Sequence, residues 1–185
     1  MSRIAPVPET AATPEEAEAL AEVRSAWGGV PQLGRVIARS QPLTRAMFAF
    51  DREMSRGRFK GAFAEQLAIA VANENRCAYC LAAHSAAGRR LGLGDQALAD
   101  ARLGRADDPK QAAALSFVQV VVRDRGKVTD GDIDAVRAAG WTDADVVELV
   151  GHAIAALLTN YLHHLSDVPV DFPRVEFATA TRAAA

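Results

Sequence analysis

Glu65-Gln-Leu-Ala-Ile-Ala-Val-Ala-Asn-Glu-Asn-Arg-Cys77-Ala-Tyr79-Cys80-Leu-Ala-Ala-His84 reads as the end of one helical segment and the start of another. The first half is apolar from Leu67 to Ala72, and the second opens on the only two cysteines of the chain. On the second helix, positions 77, 80, 81, 84, 87, 88 and 91 share one stripe, occupied by Cys, Cys, Leu, His, Ala, Gly and Leu. The sulfurs therefore face inward. Ala82, Ala83, Ala86, Ala87 and Gly88 let a neighbouring helix approach closely, and the segment carrying Glu65 fits that place.

The cysteine spacing brings two sulfurs into disulfide range when the pair sits at a helix start, which makes a reversible dithiol the natural reading. His84 stands one turn beyond Cys80 on the same face and can take or share a thiol proton. Glu65 has Ala62, Ile69 and Ala72 as its i−3, i+4 and i+7 neighbours, and a carboxylate on such a stripe is costly unless partnered. Helix-dipole reasoning makes Cys77 the more acidic thiol, whereas the histidine one turn away favours Cys80. The second argument assigns nucleophilic attack to Cys80 and places Cys77 nearer the helix mouth, for exchange with a bulky partner.

At 185 residues the chain suits one domain, 1–185, with a core over about 30–165, an N-terminal helix over about 14–27 and an irregular tail over about 167–185. Half of the residues are hydrophobic but only 6% are aromatic, and alanine fills many apolar positions. That composition predicts an all-α, single-domain multi-helix bundle. The 21 basic and 23 acidic residues are spread evenly, without the basic stripe that tracks phosphates, so nucleic acid is not expected as a partner. The N-terminus lacks a signal-peptide core, and no uninterrupted apolar run reaches the roughly 20 residues that span a bilayer. The expectation is a cytoplasmic protein without membrane contact, where a lone C-x-x-C is redox-active or metal-binding more often than a permanent staple.

Caps and breaks place helices at residues 14–27, 31–40, 43–56, 61–75, 77–91, 95–103, 109–125, 130–139 and 143–165. Thr13-Pro14-Glu15-Glu16 and Asp108-Pro109-Lys110-Gln111 are N-terminal signatures, and Thr129/Asp132 and Thr142/Asp145 are weaker versions of them. Residues 67–72 and 153–158 are apolar on more than one side, so some of these faces should meet another copy of the chain.

Plainer readings stand beside the functional one. Buried cysteines can be small hydrophobes, and C-x-x-C-x-x-x-H offers three ligands of the kind zinc accepts, with His152, His163, His164 or Glu65 as a fourth. His152, four residues after Glu148, reads as half of a buried pair. His163 and His164 complement the negative end of the last helix dipole and are given no chemistry. Tyr79 points to another face, where it packs or gates the sulfurs.

The pattern Glu65, Cys77-x-x-Cys80, His84 resembles that of the alkylhydroperoxidase D-like proteins of the carboxymuconolactone decarboxylase superfamily. The run Glu-Gln-Leu-Ala-Ile-Ala-Val-Ala, the C-x-Y-C variant, and Thr159-Asn160-Tyr161 followed by Val-Pro-Val-Asp-Phe-Pro resemble the peroxidase-related branch. The likeness spans roughly residues 30–175. It implies an all-helical homo-oligomer, a trimer or hexamer, that reduces organic hydroperoxides without haem, flavin or metal. It further implies attack by Cys80, resolution by Cys77, a Glu65–His84 proton relay, and electrons from a lipoylated or thioredoxin-like dithiol protein. Founding members carry a histidine where Tyr79 stands here, and the decarboxylase branch lacks the cysteine pair. A disulfide oxidoreductase or redox sensor, and a zinc-stabilised helical module, are the other classes these residues allow.

Overall fold

Most of the helices begin at a residue whose side chain accepts from an N–H of the first turn. A computed structural model describes residues 2–179, and these form nine α-helices and no strand. They are α1 (Pro14–Trp27), α2 (Gln32–Ile37), α3 (Gln41–Met54), α4 (Ala62–Glu74), α5 (Ala78–Arg90), α6 (Asp95–Arg102), α7 (Pro109–Arg123), α8 (Asp130–Ala138) and α9 (Asp143–Ser166). Thr13, Thr129 and Thr142 each close a reciprocal capping box, with Glu16, Asp132 and Asp145. The last two are therefore full boxes rather than weak ones, since aspartate at the third position reaches back to the cap as glutamate does. The helix expected over 43–56 starts two residues earlier: α3 is capped by Ser40 and holds Pro42 in its first turn, where a missing N–H costs nothing.

The architecture is centred on α4, which packs against α5, α6, α7 and α9. Leu67, Ile69, Ala70, Val71 and Ala72 are all buried within the protomer. Four surrounding helices cover most of this segment within one protomer, so of the two apolar stretches it is the less available to another copy. Residues 153–158 behave differently: Ala153 and Ala156 are buried while Ile154 is 52% exposed. With Val147, Tyr161 and Leu165 it forms an uncovered stripe along α9. Among the described residues α9 is the one helix whose length and composition would allow a bilayer crossing. It carries the fully buried Asn160 and packs against α2, α3, α4, α5, α7 and α8, which makes it a second central helix.

Two backbone features place the site. Arg76 adopts the left-handed conformation at φ 57°, which lets the chain reverse between α4 and α5 in three residues. For a side chain larger than glycine this costs on the order of 1 kcal/mol. The Arg76 guanidinium lies over the Phe177 ring at 4.7 Å, which offsets part of that cost. Asp167, at φ 53°, similarly caps α9 and turns the following tail back across its last turn. The tail from residue 167 to 179 has no regular element but is tied down: Asn73 bonds Ala178 through both amide groups, and Arg102 donates to the Glu176 carbonyl. Residues 180–185, the end of the expected tail, lie outside the described residues.

Candidate functional site: a dithiol between α5, α9 and the C-terminal tail

Cys77 is the N-cap of α5, and its Sγ accepts a hydrogen bond from the Cys80 N–H at 3.4 Å. Serine, threonine, aspartate or asparagine normally fill this place, and sulfur serves it best as an anion facing the positive end of the helix dipole. Both thiols are reduced and buried, Cys77 at 0% and Cys80 at 2% exposure. The Cys80 side chain beside it, followed by the contact with His163, holds the Cys77 thiol down to about 5 against the effect of burial. Cys80 moves the opposite way: the neighbouring Cys77 sulfur, and burial, push its thiol up, although Thr159 and Asn160 pull it down. The two sulfurs therefore titrate as one pair that gives up its first proton readily and holds the second.

His163 comes from the last turns of α9. Its Nδ1 stands 3.7 Å from Cys77 Sγ and its Nε2 lies 3.2 Å from the Val168 carbonyl oxygen. The Tyr79 ring lies against it, with centroids 5.1 Å apart. The Tyr79 hydroxyl donates to Asp171 Oδ2 at 2.5 Å and accepts from the Leu33 N–H, while Asp171 also accepts from the Gln32 N–H. Burial, then the bond to Asp171, push the Tyr79 phenol far up, so it stays a neutral donor. Tyr79 thus does more than pack: it clamps the tail over the sulfurs. Cys77 does stand at the mouth of α5, as its N-cap, but it is fully buried there, with His163 against its sulfur.

On the other side, His84 Nδ1 and Glu65 Oε2 are 2.8 Å apart, joining α5 to α4. Burial pulls the His84 imidazole down, but Glu65, with Cys77 and Asp51, outweighs it and raises it above the usual histidine range. Asp51 on α3 is raised by burial, with His84 acting in the other direction. Among the described residues no hydrogen bond joins His84 to either sulfur. The four residues singled out in the sequence therefore fall into two pairs, Cys77–Cys80 and Glu65–His84.

His163, Thr159 and Asn160 were not foreseen as parts of the site. Thr159 Oγ1 lies 3.8 Å from Cys80 Sγ and donates onward to the Ala156 carbonyl. Asn160 accepts from Asn75, while its own buried amide nitrogen has no hydrogen-bond partner. Positions 159, 160 and 163 recur on one face of a mostly apolar helix, a signal that the sequence held beside the Thr159-Asn160-Tyr161 likeness. His152 and Glu148 approach only to 3.9 Å, because Glu148 is engaged by the backbone N–H groups of Arg58 and Phe59. His164 turns away to the Arg76 carbonyl. Among the described residues no three His, Cys, Asp or Glu side chains converge as a metal site would need, which leaves zinc without a ligand set.

Residues 41–123 match the model of the carboxymuconolactone decarboxylase family. A solved alkylhydroperoxidase D core from Ralstonia eutropha, an uncharacterised peroxidase-related protein, is similar with 27% identity, a TM-score of 0.75 and coverage of 92% of each chain. A peroxidase-related protein from a Silicibacter species has 20% identity and a TM-score of 0.73, covering 94% of this chain and 93% of its own. The debrominase Bmp8 shares the fold at 13% identity and a TM-score of 0.76, with coverage of 91% and 92%. No curated protein matches the sequence.

Proposed function

Because the chain belongs to the carboxymuconolactone decarboxylase superfamily as an alkylhydroperoxidase D-like member, we propose that it is a thiol-dependent hydroperoxide reductase working through Cys77 and Cys80. The observation that carries this reading is the reduced pair at the first turn of α5, with Cys77 Sγ accepting from the Cys80 N–H and holding the lower pKa. Thiolate is the form that attacks a peroxide oxygen, and a second thiol within reach closes the disulfide.

The family likeness gives the attack to Cys80, and this proposal keeps that assignment: the two sulfurs titrate as one coupled pair, so Cys80 becomes the attacking thiolate by passing its proton to Cys77. Cys77 is the resolving sulfur, and its ready ionisation suits it to close the disulfide. The Glu65–His84 pair, about a quarter to a third exposed, passes protons between solvent and the buried pair. A lipoylated or thioredoxin-like dithiol protein in the cytoplasm resets the disulfide by exchange. The uncovered stripe of Val147, Ile154, Tyr161 and Leu165 on α9 supports assembly with further copies of the chain, as a trimer or hexamer.

Steady-state consumption of an alkyl hydroperoxide with dihydrolipoamide as donor tests the reading. Turnover that disappears in Cys77→Ser and in Cys80→Ser supports it. A disulfide that forms and reduces reversibly without hydroperoxide turnover would instead assign the pair to an oxidoreductase or sensor.

A further inference from the structure

We propose that Asn160 is a further catalytic residue, whose buried side-chain N–H donates to the Cys80 sulfur and holds it as the attacking thiolate. The role rests on the dithiol peroxidase reading and deepens it. Asn160 is fully buried on α9, and its Oδ1 accepts from the Asn75 side-chain amide at 3.1 Å. That bond fixes which way the amide faces and leaves Nδ2 buried without a hydrogen-bond partner. A buried N–H is rarely left unpaired in a native fold, and a catalytic role is one reason that it is.

Cys80 Sγ is the acceptor that Nδ2 serves. The preceding residue on α9, Thr159, brings its Oγ1 to 3.8 Å from that sulfur. Thr159 and Asn160 both draw the Cys80 thiol down, against burial and the Cys77 sulfur. The two act differently. The Thr159 hydroxyl hydrogen lies on the Ala156 carbonyl at 3.0 Å, so its oxygen accepts from the neutral thiol, and it can turn to donate once the thiol has ionised. Asn160 has Nδ2 as its one side-chain donor, which can only donate and so favours the ionised sulfur. A fixed donor aimed at the atom where charge collects, in a site closed to water, stabilises the anion without reorganisation.

The titratable groups around Cys80 are Cys77 and Tyr79 on α5, with His163 of α9 against Cys77, and His84 one turn along α5 paired with Glu65 of α4. In the first step the Cys80 proton passes to Cys77, and Asn160 Nδ2 bonds the sulfur that has become the anion. Cys80 Sγ then forms a bond to the outer oxygen of ROOH as the O–O bond breaks. Sulfur gives up two electrons to the peroxide, and the departing alkoxide receives a proton through the Glu65–His84 pair. The products are ROH and a sulfenic acid on Cys80. In the last step the Cys77 sulfur displaces the sulfenic hydroxyl, which takes the Cys77 proton and leaves as water.

Full-length Cys77→Ser protein presents Cys80 as a single thiol. Its alkylation against pH gives a midpoint, which Asn160→Leu should raise by about one pH unit or more, the effect of losing a hydrogen bond to a charged group. In 15N-labelled Cys77→Ser protein, the side-chain amide resonances of Asn160 should move with that same midpoint. Amide resonances that do not respond as Cys80 ionises would overturn the inference, whether or not Asn160→Leu folds. If both shifts occur but the wild type consumes no hydroperoxide, the peroxidase reading fails and the catalytic role of Asn160 with it, while its donation to Cys80 stands. If hydroperoxide is consumed and neither shift occurs, the peroxidase reading stands and Asn160 is only a packing residue.

Discussion

His163 Nδ1 stands 3.7 Å from Cys77 Sγ although 86 residues separate them in the chain. The acidity of the dithiol is therefore set by the end of α9 as well as by the helix that carries the cysteines. One consequence concerns pH. The two thiols of the reduced protein should titrate in well-separated steps, the first at about 5 and the second well above 9.0. Thiolate absorbance in the ultraviolet measures both, and a single step near 9.0 would contradict the arrangement.

The same shift affects stability. Cys77 has a lower pKa in the native state than in the unfolded chain, so its thiolate contributes fully above the unfolded value, and that contribution is lost as pH falls through about 5. The stability gap between wild type and Cys77→Ser, from urea titrations, should narrow over that interval. A gap independent of pH would show that the thiolate is not favoured by folding.

Glu65→Gln acts on the opposite sign. His84 is raised in the native state, against its own burial, chiefly by the Glu65 carboxylate. The protonated pair therefore contributes fully below the ordinary histidine range, and its contribution fades as pH rises through the native His84 value. The His84 imidazole resonances should titrate at lower pH in Glu65→Gln. Identical titration curves would mean that the 2.8 Å contact carries no charge.

Tyr79→Phe removes the bond to Asp171 and leaves the buried Leu33 N–H without a partner. The expected cost is about 1–3 kcal/mol, a fall of roughly 2–4 °C in Tm for each kcal/mol. Amide exchange of residues 168–178 should accelerate more than that of α4. Unchanged exchange in the tail would show that Tyr79 does not clamp it.

Ile154→Lys places a charge in the centre of the exposed α9 stripe, where Ile154 is 52% accessible in the protomer. Helix content should persist while the mass measured by light scattering falls to that of a smaller species. A mass equal to that of the wild type would remove α9 from the assembly interface.

Local signals carried most of the fold. Thr13, Thr129 and Thr142 announce α1, α8 and α9 because a cap and its third residue interact within a single turn. The start of α3 falls at 41 rather than the expected 43 for the same local reason: the cap at Ser40 takes Pro42 into the first turn. Glu65 and His84 could be paired from the sequence because α4 and α5 are consecutive and joined by a tight reversal at Arg76. His163 could not, since its meeting with Cys77 depends on how α9 crosses α5 and on the left-handed turn at Asp167. An aspartate in that conformation carries no clear mark in the sequence. Tyr79 was equally hidden, because its partner Asp171 lies in a tail with no periodic pattern.

The central claim is tested most directly by a single turnover. Reduced protein, free of any donor, is mixed with one equivalent of alkyl hydroperoxide while alcohol, free thiols and the mass of the Cys77–Cys80 peptide are followed. The account predicts that alcohol appears as both thiols disappear, with the mass loss of one intramolecular disulfide. It further predicts that Cys77→Ser still yields one alcohol per site and stops at a sulfenic acid on Cys80. Peroxide left intact beside two free thiols would contradict the account.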